Sequence, residues 1–221
     1  MKALSFTQEY FLCAINENGN LPVLDSEISV CLLAGGIMEL TRQGYIGHDE
    51  KKRFAAAKPW DDTLPYLKPL YDTVAAFKKP QKIDGIVGAY ETSLKKPFPE
   101  LLSALGTSLV AAGYADEQGV RGLLKDKPGY VRYVPKPEAV THIIEKIRAE
   151  FLENGVISDE TLCLTALLDG SRLIRRYFSK VERDTLKKRL KEVRESEAYA
   201  SIREFVDASD GAMAAAIVVA D

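Results

Sequence analysis

The chain has 221 residues, of which 46% are apolar and 28% charged, enough to bury a substantial core. Its formal net charge of −2 gives no global field toward nucleic acid or a membrane. The opening MKALSFTQEYFLCAIN, with one lysine and an apolar stretch broken by Gln8 and Glu9, reads as neither signal peptide nor anchor, and the apolar tail AMAAAIVVA is too short to span a bilayer. Cys13, Cys31 and Cys163 lie far apart inside apolar helical patterns, which points to buried free thiols in a reducing compartment.

Ser5 and Gln8 form a capping box before an apolar stripe of Phe11, Ile15 and neighbours, and that helix stops at the turn 16–20. Asp25 or Ser26 caps a second helix running to about Gln43 and closed by Gly44. Its run ISVCLLAGGIMEL, 28–40, has almost no polar face and belongs at the centre, with Gly35 and Gly36 allowing close helix contact. YIGHDEKKRFAAAK reads as strand, charged turn and strand. Asp61 and Asp62 look like helix-start acids. After the breaks at Pro65 and Pro69, helices are expected over about 69–79, 82–92 and 97–112. The second of these turns Ile83, Ile86, Val87 and Tyr90 to one side. The third buries Leu101, Leu102, Leu105 and Leu109 and is closed by Gly113.

Residues 120–134 read as a β-hairpin turning at Asp126 to Gly129. Pro137 starts a helix with Val140, Ile144, Ile147 and Phe151 inside, ending at Gly155. Ser158, Asp159 and Glu160 start another, expected to reach about Phe178. A second capping box, Ser179 and Glu182, then breaks direction into a basic helix ending near Glu195. Two short segments follow, with Ser209 and Asp210 capping a tail expected in the core. The order helix, Gly44, hairpin recurs as helix, Gly113, hairpin. The expected fold is mainly α: one compact domain, 1–221, around a central apolar helix bundle with two small β-hairpins.

No phosphate loop, GxGxxG, HExxH, GxSxG or kinase motif is present, and His48 and His142 have no second ligand type at metal spacing. No enzymatic activity, cofactor or metal is therefore expected. The unusual charge feature is 172–194, with ten basic residues against Glu182, Asp184 and Glu192. The apolar residues on either side of Ser179 need different rotations, so this is two basic faces. It is either a solvated surface or a site for an anionic partner, with Arg172, Arg175, Arg176, Lys187 and Lys188 as candidates.

LSFTQEYFLCAINENG, ISVCLLAGGIMELTRQGYI, LPYLKPLYDTVAAF, SLVAAGYA, the hairpin leading to YVP, and AMAAAIVVA occur in an order that resembles the Golgi phosphoprotein 3 family over nearly the whole chain. The resemblance implies a helical bundle without enzymatic activity. Eukaryotic members bind phosphatidylinositol 4-phosphate through a shallow pocket of a tryptophan and basic residues, and hold glycosyltransferases by their cytoplasmic tails. A hairpin serves membrane contact or self-association. For this chain, similar to a bacterial member, the implied role is a peripheral-membrane or adaptor protein in the cytoplasm, on the inner face of a membrane. Its implied partners are anionic membrane lipid, cytoplasmic tails of membrane proteins and a second copy. Leu24, Leu33, Pro99 and Leu102 stand at the pocket positions and offer no charged donor, with Lys95 and Lys96 as nearby substitutes. The alternative is a winged-helix-like nucleic-acid binder built on 28–57, against which stands the lack of polar side chains in ISVCLLAGGIMEL.

Overall fold

Ser5 starts the first helix, α1 (Phe6–Ala14), through a reciprocal cap: its hydroxyl accepts the Gln8 N–H at 3.3 Å, and the Gln8 side chain accepts the Ser5 N–H at 3.1 Å. The computed structural model describes residues 3–19, 26–92, 97–119, 131–153 and 156–195. The expected stripe on α1 understates its burial, because every residue of the helix is buried, Thr7, Gln8 and Glu9 included. Distant partners satisfy Gln8 and Glu9, whereas the buried Thr7 hydroxyl has no hydrogen-bond partner among the described residues. Gln8 donates to the Ser108 hydroxyl at 2.9 Å, and Lys146 donates to both Glu9 oxygens at 2.6 and 2.7 Å. Burial still pushes the Glu9 carboxyl up, against the opposing pull of Lys146.

The second helix, α2 (Ser26–Arg42), is the centre of the fold. Between Glu27 and Leu40 only Ser29 is less than fully buried, so no face of α2 can enter a nucleic-acid groove. Of the two expected caps, Ser26 is already the first residue of the helix and Asp25 lies outside the described residues. A methyl group at Gly35 would stand 2.9 Å from Leu167, and one at Gly36 would stand 2.5 Å from Leu70. The glycine pair therefore lets two helices, α3 (Lys68–Ala75) and α7 (Asp159–Gly170), press against α2 from different sides.

Gly44 ends α2 at φ +73°, with Tyr45 N–H donating to Leu40 C=O at 2.8 Å and Gly44 N–H to Thr41 C=O at 2.9 Å. The chain leaves into β1 (Ile46–His48), paired antiparallel with β2 (Phe54–Ala56), and Phe54 exchanges backbone bonds with Gln81 as well. Asp61 and Asp62 start no helix. They are loop acceptors, Asp61 for the Tyr45 hydroxyl and the Thr63 N–H, and Asp62 for the Trp60 indole at 2.6 Å. The hydrogen bond from Tyr45, with those from Thr63, holds the Asp61 carboxyl well below the usual range.

A 3-10 turn at Pro65–Leu67 leads into α3, which stops at Ala75, four residues short of the expected end. The helix α4 (Ile83–Thr92) buries Ile83, Ile86 and Tyr90. Leu101, Leu105 and Leu109 of α5 (Pro97–Ala111) are buried, and Leu102 only half so. Gly113 repeats the Gly44 device at φ +82°, with Tyr114 N–H on Leu109 C=O at 2.9 Å. The second hairpin follows, but its first strand is β3 (Ala115–Gly119), five residues earlier than expected, paired with β4 (Val131–Pro135) in the register Ala115↔Pro135. ADEQG has none of the alternation or branching of a strand. It pairs along its whole length with β4, and Tyr133 of β4 seats its ring on buried Gly106 of α5. The expected turn at 126–129 lies outside the described residues.

The helix α6 (Pro137–Leu152) turns Ala139, Ile143, Ile144, Ile147 and Phe151 inward and leaves Val140 half-buried, so its stripe is rotated from the expected one. Its expected end at Gly155 falls outside the described residues. α7 ends at Gly170 rather than near Phe178, because Arg172 takes a left-handed conformation, φ +59°. A short turn, α8 (Ile174–Tyr177), and the basic helix α9 (Lys180–Glu195) follow. The expected cap of α9 is present, with Ser179 N–H on Glu182 at 2.7 Å and Glu182 N–H on the Ser179 hydroxyl at 3.3 Å. The segments after Glu195, including the cap at Ser209 and Asp210 and the apolar tail, lie outside the described residues.

The architecture is mainly α, as expected. α1, α2 and α7 pack on one another at the centre, α3 and α5 flank one side, and α6 and α9 the other. Cys13, Cys31 and Cys163 are free and buried, and burial pushes the Cys163 thiol up to about 12.

Candidate anion-binding face

Leu186 and Leu190 of α9 are buried and Val193 is half-buried, a helical spacing that turns Lys187, Lys188 and Lys191 to solvent. One arginine joins this helix to the body. Arg148 of α6 donates to Glu182 at 2.8 Å, to Glu145 at 2.8 Å and to the Tyr177 carbonyl at 3.1 Å. The same guanidinium lies 5.2 Å from the centre of the Phe178 ring.

Arg148, together with the Ser179 amide and hydroxyl, holds the Glu182 carboxyl down at about 2. A depressed carboxylate pKa stabilises the fold above the ordinary carboxylate range, and the contribution is lost as pH falls through about 2. Glu182→Gln should cost about 1 kcal/mol at pH 7, a modest value because the pair is partly solvated. Urea melts across pH should show the gap between the two proteins closing toward pH 2. A gap that is constant with pH would remove the ion pair from the stability of the α6–α9 joint.

The structure brings only part of the expected cationic set together. Arg172 pairs with Glu27 at 2.9 Å, and Lys187 pairs with Asp169 at 3.5 Å. Asp169 also accepts the Arg172 backbone N–H at 3.0 Å through its carbonyl, so this residue anchors the backbone of Arg172 and the side chain of Lys187. Lys188 turns along α9 toward Glu192 at 3.9 Å. Arg176 faces the other way and donates to the Cys13 carbonyl at the end of α1, at 3.2 Å. Arg175 is exposed and, like Lys180 and Lys191, forms no ion pair among the described residues. Lys95 and Lys96 lie outside the described residues. The acidic partners were not legible beforehand because Glu27 belongs to α2, distant in sequence, and Asp169 approaches only once α7 breaks.

Of the four positions that the resemblance assigns to a headgroup pocket, Leu24 lies outside the described residues. Pro99 is exposed, Leu102 is half-buried, and Leu33 is 1% exposed inside the core, where no headgroup can touch it. Among the described residues no helix is long and apolar enough to cross a membrane, and no group of three His, Cys, Asp or Glu side chains could hold a metal.

One charged residue inside the expected core run was passed over. Glu39 is 5% exposed and lines a cleft of about 630 Å³ between the start of α1, the ends of α2 and α5, and the 3-10 turn. The Tyr66 hydroxyl donates to its Oε1. The available signal was the isolation of Glu39 as the only charge between Ile28 and Leu40.

Residues 7–209, which span every described helix and both hairpins except the first residue of α1, match the family model described as Golgi phosphoprotein 3 (GPP34). The chain belongs to the Golgi phosphoprotein 3 family. No curated protein matches it. This Golgi phosphoprotein 3-type chain has the mainly helical core expected from the family, and its cationic residues over 172–194 fall on α8 and α9.

Proposed function

We propose that this family member is a non-enzymatic peripheral-membrane adaptor whose α8–α9 surface engages anionic lipid, with a site on the cytoplasmic face of a membrane. The carrying observation is the concentration of ten basic residues against three acidic ones over 172–194 in a chain of formal net charge −2, with Lys187, Lys188 and Lys191 turned outward. Val181, 76% exposed in the first turn of α9, adds an exposed apolar side chain to the same helix. Each Lys or Arg close to an anionic surface adds about 1 kcal/mol, so a few exposed cations give reversible binding. In the adaptor role this face would hold the protein at the membrane while it engages cytoplasmic tails of membrane proteins. Self-association through the β3–β4 hairpin would multiply weak lipid contacts.

The test is vesicle flotation at low salt. Arg172 and Arg176 are poor choices for charge reversal, because their bonds to Glu27 and Cys13 belong to the fold. The triple variant Arg175→Glu, Lys188→Glu, Lys191→Glu should stay folded and lose binding to phosphatidylglycerol vesicles by at least about a hundredfold. Binding by the unaltered protein should weaken steeply with salt, since screening acts beyond about 8 Å at physiological ionic strength. Vesicles of equal charge carrying phosphatidylinositol 4-phosphate should bind within a few-fold of those with phosphatidylglycerol, since Leu33, Pro99 and Leu102 supply no phosphate-binding side chain. Failure of the unaltered protein to float with anionic vesicles at low salt would end this reading. Retention on DNA in a shift assay at the same salt would favour the nucleic-acid alternative.

A further inference from the structure

The two oxygens of Glu39 have different surroundings. Oε1 accepts the Tyr66 hydroxyl, whereas Oε2 is buried and has no hydrogen-bond partner among the described residues. Burial, with the neighbouring Glu39 charge, pushes the Tyr66 phenol far above its ordinary range, so Tyr66 acts as a neutral donor. A buried carboxylate oxygen without a donor is costly, and such groups are found satisfied by a neighbour or a bound molecule.

The cleft beside Glu39 has the size of a small-molecule site, about 630 Å³. Its walls include Leu4, Phe6, Leu64 and Ala111. The other ionic groups on it, Arg42 and Glu160, neutralise each other at 2.9 Å, and the Arg42 guanidinium also lies 5.9 Å from the Phe6 ring centre. Among the described residues lining the cleft, Glu39 is therefore the one carboxyl group without an ionic partner.

These features restrict the occupant. A guanidinium fork matches both oxygens of a carboxylate, but here Tyr66 holds one of them. A quaternary ammonium carries no N–H for Oε2. A divalent cation requires several oxygen ligands, and here one carboxylate oxygen is free. A primary ammonium needs one acceptor, balances one charge and leaves its stem to the apolar walls. We infer that this cleft binds a small primary amine, its ammonium donating to Glu39 and its short alkyl stem lying between Phe6 and Leu64. Oε2 is closed to solvent in this conformation, so binding requires the soft terminal torsion of Glu39 to turn the carboxyl group toward the cleft.

The experiment is an NMR titration of the full chain with butylammonium chloride, n-butanol and butyltrimethylammonium chloride at constant ionic strength. Butylammonium should bind saturably, at least tenfold more tightly than either of the other two. Glu39→Gln keeps an acceptor for Tyr66 and should weaken butylammonium binding at least tenfold while leaving n-butanol unchanged. Ala111→Trp, on the exposed side of α5, should block both ligands without altering the melting temperature. This second variant keeps the inference open to refutation if Glu39→Gln does not fold. Absence of saturable binding, equal affinity for amine and alcohol, or indifference to either variant would overturn it. The lysine and arginine reversals on α8–α9 should leave amine binding unchanged, so failure of one reading does not imply failure of the other.

Discussion

Leu33→Asp should leave the chain without a cooperative melting transition. The side chain is 1% exposed on a helix buried all round, so an aspartate there would meet neither water nor a partner. The expected loss is about 4 kcal/mol or more, against a total stability of about 5–15 kcal/mol for an ordinary domain. Ile37→Asp, at 0% exposure one turn further on, should behave the same way. Pro99→Asp provides the contrast, because Pro99 is exposed in the first turn of α5 and the change should stay within about 0.5 kcal/mol. Thermal melts followed by circular dichroism decide the matter. An unchanged transition in Leu33→Asp would mean that α2 has an open face, and the groove-binding alternative would return with it.

The second large effect is expected at Gly106. A Cβ there would stand 2.1 to 2.3 Å from three ring atoms of Tyr133, far inside contact distance. The ring has little freedom to retreat, since it is 8% exposed and its hydroxyl lies 3.3 Å from the hydroxyls of both Ser103 and Thr107. Gly106→Val should therefore cost about 3 kcal/mol, the upper part of the usual range for overpacking, and free the β3–β4 hairpin from α5. Amide exchange should accelerate in β4 before it does in α2. Adding Tyr133→Ala to Gly106→Val should recover at least about 1 kcal/mol relative to the sum of the single changes. Simple additivity would show that the ring and the glycine do not oppose each other in solution.

What could be read in advance was what short-range chemistry determines. The caps at Ser5 and Ser179 were visible because each joins residues three apart, and the ends at Gly44 and Gly113 because only glycine takes those angles cheaply. The core role of α2 followed from its missing polar face. The failures share a different cause. Gln8 and Glu9 break the apolar stretch of α1 in the sequence, yet they are buried with Ser108 and Lys146 as partners, 100 and 137 residues away. β3 carries no strand pattern, yet it pairs along its whole length with β4. The break after Gly170 rests on an arginine in a left-handed conformation, a choice that local propensity disfavours. For the cationic surface, the residues were identifiable but not the acids that pair with them, so the set divided on folding. Glu39 is the one charge in its apolar run, but its meaning depends on Tyr66, which a 27-residue separation conceals.

The placement of the cysteines has a chemical consequence. One thiol sits on each of the three central helices, Cys13 on α1, Cys31 on α2 and Cys163 on α7, and all are buried. Thiolate is the reactive form, and burial suppresses it at Cys13 and Cys163 while the surrounding side chains exclude reagents. An alkylating agent or peroxide in solution would therefore spare the native chain and modify it only as the helices separate. The chain is thereby protected from adventitious cross-linking between molecules, and its rate of thiol modification becomes a clock for the opening of its own centre.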